Sequence, residues 1–99
     1  MTSAMKYRLM DLIEAIEELN SMIHLHESNQ TANMLDQYKY KREQLVGRLI
    51  DTLVDPKIRS SRSLFLVKTI LEKYYPDLNK EAAANDDEAW LAIEAVLAS

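Results

Sequence analysis

Cysteine is absent from this 99-residue chain. That excludes disulfide frameworks, thiolate metal sites and cysteine nucleophiles, and it suits a reducing cytoplasm, the expected location. Glycine occurs once, at Gly47, and proline twice, at Pro56 and Pro76. One glycine cannot build a P-loop or a dinucleotide-binding loop, each of which needs several. No serine stands in a Gly-x-Ser-x-Gly elbow either. So few turn residues, in a chain 47% apolar and 28% charged, point to a few long helices and away from disorder. Long apolar runs are also missing. "MTSAMKYRLMDLIEAIEELN" reaches an acid at Asp11, so it reads as neither a signal peptide nor a membrane span.

Net charge is −4 but unevenly spread. Residues 1–55 carry six basic against nine acidic side chains, residues 56–75 five against one, and residues 76–99 one against six. A basic middle between acidic ends either neutralises itself within one fold or faces an acidic partner.

What is present is apolar periodicity. Met5, Leu9, Leu12, Ile16, Leu19 and Ile23 recur at 4-3-4-3-4 spacing, a heptad stripe, and Ile13 widens it. Thr2 or Ser3 can cap this helix, predicted over 4–26. Ser28, Asn29 and Thr31 then offer caps for a second helix over 31–54, ended by Pro56. Its inner stripe is Met34 or Leu35, then Tyr38, Arg42, Leu45, Leu49 and Leu53. A short reversal makes the two helices antiparallel neighbours. Folding at about residue 29 pairs numbers adding to roughly 58, which sets Leu12 against Leu45 or Val46 and Ile16 against Lys41 or Arg42. Helix 2 carries a second stripe of Tyr40, Glu43, Gly47, Ile50 and Val54; helix 1 has no comparable second face. Gly47 lies on that stripe and reads as a notch for a close neighbour.

The C-terminal part predicts two shorter helices, 62–75 with Ser60 or Ser61 as cap, and 86–98 with Asn85 as cap and Glu88 completing a capping box. Trp90, Ile93, Val96 and Leu97 are expected inward, with Trp90 filling the Gly47 notch. Phe65 falls among Arg62, Lys68 and Lys73; it is either a partner contact or is covered by the chain's own C-terminus. The expected architecture is thus a single all-α domain over 1–99, a helical hairpin over 4–54 with two C-terminal helices on the outer stripe of helix 2.

Candidate chemistry is thin. His24 and His26 are two apart, so a regular helix points them about 200° away from each other, and they cannot share a metal. No glutamate has a histidine three residues later, so the carboxylate-bridged di-iron pattern is missing. Glu14, Glu17 and Glu18 lie on a solvated face rather than forming an acid–base pair. No catalytic residue, cofactor or metal is expected. The expected function is non-catalytic protein–protein interaction, chiefly as a homodimer, two hairpins completing a four-helix bundle. The contact residues are Tyr40, Ile50, Val54 and Phe65, with Arg62 and Lys73 at the rim. The alternative is a nucleic-acid-binding regulator using the basic segment 57–73, supported by "YKYKR" and "KIRSSRS". Membrane-surface binding is not expected, because the polar face of helix 1 is acidic.

Overall fold

The computed structural model describes residues 1–27, 32–76 and 87–99. Among these the chain is all-α, without a strand. Its helices are α1 (Ser3–Glu27), α2 (Ala32–Leu53), α3 (Ser61–Tyr74) and α4 (Glu88–Ala98), each within two residues of its predicted ends. The chain divides into two compact units, 1–68 and 69–99.

The caps show why the helices start where they do. Thr2 Oγ1 accepts from the Met5 N–H at 3.2 Å, and the Lys6 N–H donates to the Thr2 carbonyl. Satisfying such an orphan donor is worth about 1 kcal/mol. The Ser63 N–H donates to Ser60 Oγ at 3.1 Å while the Ser60 N–H donates to Ser63 Oγ at 2.7 Å. This is a reciprocal box with serine in the place glutamate usually takes. The Ser63 hydroxyl proton goes to the Ser60 carbonyl at 3.0 Å, so this buried side chain has donor and acceptor both satisfied. Between α2 and α3, the Asp55 carboxylate accepts from the Lys57 N–H at 2.9 Å, and the Asp55 carbonyl accepts from Ile58 and Arg59. Pro56 presets φ at the second position of that turn.

At α4 the cap differs from expectation. Asp87, at ψ 120°, accepts from the Ala89 N–H at 2.9 Å, so Glu88 opens the helix instead of completing a box. Aspartate caps as well as asparagine, and its charge gains additionally from the helix dipole. Asn85 lies outside the described residues, as do the candidate caps Ser28, Asn29 and Thr31.

In the first unit α1 and α2 pack closely as a hairpin. Leu9, Ile16 and Ile23, seven apart, are buried on α1, and Val46, Leu49 and Leu53 on α2. Each such side chain contributes about 1.5–3 kcal/mol when fully buried. The side-chain contacts across the hairpin fall at higher residue sums than the expected 58. His26 stacks on Tyr38 with centroids 5.3 Å apart, and Arg42 Nη1 donates to Asn20 Oδ1 at 2.8 Å. These pairs add to 64 and 62, not 58. Continued along the hairpin, the sum of 62 sets the side chain of Leu9 opposite Leu53 and that of Ile16 opposite Val46, all four buried. The cause is side-chain lean. Every helical side chain tilts toward its own N-terminus, so across an antiparallel seam tips meet at a larger residue sum than backbone levels do. Arg42 accordingly reaches Asn20, and its Nε lies buried without a hydrogen-bond partner.

In the second unit Tyr74 is buried, and Lys73 Nζ lies 5.6 Å from its ring centroid. Helix α4 buries nothing; all of 87–99 is exposed. Trp90, Ile93, Val96 and Leu97 are therefore not inward, Trp90 being 55% and Leu97 80% exposed. Nor is Gly47 a filled notch, since a Cβ added there meets no atom of the described residues within 4 Å.

Candidate functional site

Among the described residues, apolar side chains are left in water on every helix, including Leu64, Phe65 and Leu66 on α3, and two surfaces gather them. The first is α4. Its sequence, EAWLAIEAVLA, has glutamates as its only polar residues, so apolar groups surround most of the helix. An eleven-residue helix of that kind has no solvated face to offer, and burial of one side still exposes others. Ala92, Ile93, Val96 and Leu97 line a shallow, almost wholly apolar depression of about 370 Å³.

The second surface is a flank of the hairpin. On α1, Met10 is 53% and Ile13 42% exposed. With exposed Lys6 and half-buried Glu17 they form a stripe at 4-3-4 spacing, positions 6, 10, 13 and 17. This line runs about 90° round the helix from the Leu9/Ile16/Ile23 core line. Ile13 thus does not simply widen the inner stripe, and α1 does have a second face. Its relation to α2 follows from chain order. Met10 and Glu17 directly follow core residues Leu9 and Ile16. Gly47, Ile50 and Val54 directly follow core residues Val46, Leu49 and Leu53. One residue step turns both right-handed helices by about 100° in the same sense along their own axes. Because the axes are antiparallel, those equal steps bring both stripes onto one face of the hairpin.

The expected contact residues fall as follows. Tyr40 is 63% exposed, its hydroxyl accepting from Gln44 Nε2 at 3.0 Å. Ile50 and Val54 are half-buried on the same side of α2, so these three share a face, with Tyr40 about 15 Å from Ile50 along the axis. Arg62 and Phe65 are exposed in the first turns of α3, three residues apart. Lys73 is also exposed but belongs to the other unit. The α1 stripe was missed, although its signal was in the sequence as two apolar residues offset by one position from a heptad.

The histidines separate as helical geometry requires. His24 is exposed, its Nδ1 3.9 Å from Glu27 Oε2, whereas His26 is half-buried against Tyr38. Among the described residues no three His, Asp or Glu side chains cluster as metal ligands. A groove of about 440 Å³ beside the hairpin is lined by Ala4, Tyr7, Arg8, Asp11, Leu12 and Arg48, a mixture of apolar groups and charges of both signs. No described helix is long and apolar enough to cross a membrane. Comparison of the chain with protein-family models, with curated proteins and with solved structures finds no match.

Proposed function

We propose that this chain is a non-catalytic helical module that works through protein–protein contact, first of all with a second copy of itself. One observation carries the reading. Among the described residues seven large apolar side chains are buried, while fifteen remain more than 40% exposed. A small domain can tolerate scattered apolar exposure, but here the exposed set outnumbers the core two to one, and eight of the fifteen lie on α4 or on one hairpin flank. Apolar side chains gathered in that way mark interaction sites. Shielding them between copies is the least demanding solution, because one self-complementary patch then serves both subunits.

Multi-angle light scattering of the full chain at micromolar concentration tests this. The expected mass is at least twice the 11.4 kDa of one chain. A mass of one chain across the accessible concentration range would overturn the reading.

A further inference from the structure

We infer that the second copy docks on the Met10–Ile13 flank as a two-fold, antiparallel partner, with Met10 against the partner's Ile13, Lys6 against the partner's Glu17, and Gly47 against the partner's Val54. This deepens the self-association reading and rests on it.

The α1 stripe is a near palindrome. Positions 6, 10, 13 and 17 are symmetric about their midpoint, with apolar residues inside and opposite charges at the two ends. An antiparallel copy therefore matches apolar to apolar and lysine to glutamate. A parallel copy would set Lys6 on the partner's Lys6. Such exposed pairs are worth only about 0–1 kcal/mol each, so they choose the orientation while apolar burial supplies the affinity. The stripe's position, about 90° from the line facing α2, is where a helix in a square four-helix bundle meets its second neighbour.

The pairing on α1 fixes the pairing on α2, and this gives an independent check. Contacts across α1 add to 23, and the two side-chain contacts within the hairpin add to 62 at Asn20–Arg42 and to 64 at His26–Tyr38. Two-fold symmetry then requires α2 contacts adding to between 101 and 105, the lower value following from Asn20–Arg42. On the shared face the pair adding to 101 is Gly47 and Val54. The α1 stripe and the Asn20–Arg42 contact set this register without reference to the outer face of α2, and it brings the only glycine of the chain, with open space among the described residues where its Cβ would stand, against a β-branched side chain. A helix-interior glycine costs about 1 kcal/mol relative to alanine; the partner's Val54 gives that position an occupant which no described residue of its own chain provides.

Helix α4 is a weaker choice for the two-fold contact. It carries Glu88 and Glu94 and no basic residue. Any antiparallel self-pairing through Trp90 and Leu97 brings the two Glu94 carboxylates together near the axis.

Sedimentation equilibrium of the full chain and its variants tests the proposal. Lys6→Glu is expected to weaken the dimer about tenfold, because both symmetric pairs become repulsive. The charge swap Lys6→Glu/Glu17→Lys should restore the parent value. Gly47→Leu is expected to weaken association by about a hundredfold at unchanged helicity, by filling the space meant for the partner. Glu17 is half-buried; should its lysine variant unfold, Lys6→Glu and Gly47→Leu still decide. In this cysteine-free chain, mixing Met10→Cys with Ile13→Cys copies under mild oxidation should favour the mixed crosslink over either self-crosslink. A dimer indifferent to these changes but broken by Trp90→Glu/Leu97→Glu would overturn this face while leaving self-association standing. A monomer throughout would overturn both.

Discussion

Gly47→Ala turns the question of what faces α2 into a sign. The added Cβ meets nothing within 4 Å among the described residues, so it costs no overlap in a single chain. Position 47 lies inside the 22-residue α2, where alanine is favoured over glycine by about 0.8–1.0 kcal/mol through reduced backbone entropy of the unfolded chain. The dissociated chain should therefore gain about 1 kcal/mol, which for a domain of this size moves the thermal midpoint up by about 4–8 °C. Urea unfolding followed by far-UV circular dichroism, at concentrations below the association range, measures it. The midpoint should rise while the slope with denaturant stays unchanged. A close ring or backbone at this position predicts the reverse, a loss of about 1–3 kcal/mol from overpacking. A lowered midpoint in the dissociated chain would thus refute the open-space argument, and with it the reason for seating the partner's Val54 there.

Ile16→Ala removes a fully buried side chain and should lower stability by about 2–5 kcal/mol, whereas Met10→Ala should change the dissociated chain by less than about 0.5 kcal/mol; urea unfolding of both separates core from flank. Arg42→Met removes a guanidinium whose Nε is buried and unpartnered but leaves Asn20 Oδ1 without its donor; stability should change by no more than about 1 kcal/mol, because the two effects oppose each other, and a larger loss by denaturant titration would show the hydrogen bond dominating. Trp90 is the sole tryptophan and more than half exposed, so its emission should be that of a solvated indole and stay constant as the dimer dissociates on dilution; a blue shift on association would move the interface to α4. Reversing Arg59 and Arg62 to glutamate should leave the sedimentation unchanged, and the parent should show little retention on a polyanion column. Strong parental retention abolished by the reversal would instead favour the nucleic-acid reading.

Helix positions were legible in the sequence because apolar spacing and caps act locally. The 4-3-4 stripe, the serines before α3 and the Asp-Pro turn each need only a few neighbouring residues to act. The hairpin register was less legible. Counting from the reversal gives backbone levels, but contacts form between side-chain tips, and the lean of both helices shifts the match by about one turn, as Asn20–Arg42 shows. The direction of α4 was least legible. A helix apolar nearly all round has no polar side to mark what faces water, so its composition suggested burial where the structure has exposure. On α1, Ile13 was assigned to the inner stripe and Met10 to none, because a single helix gives no sign of how many neighbours it will have.

The same division of labour recurs at both seams. Leu9, Ile16 and Ile23 repeat every seven residues, so sliding α2 by one heptad would again set apolar groups opposite them. Apolar burial alone, non-directional and proportional to area, discriminates poorly between such registers. The Arg42–Asn20 bond and the His26–Tyr38 stack do not repeat, and a slide of about 10 Å would break both. A buried guanidinium with one unsatisfied N–H is a poor source of stability, yet it is well placed to reject the wrong register, the use for which polar residues in helical seams are best attested. The proposed contact between copies is built alike. Met10, Ile13, Gly47 and Val54 would supply area and shape. Lys6 and Glu17 would supply little energy but make the parallel arrangement repulsive. Few polar residues, placed where the apolar pattern is degenerate, are enough to select one assembly from several of similar burial.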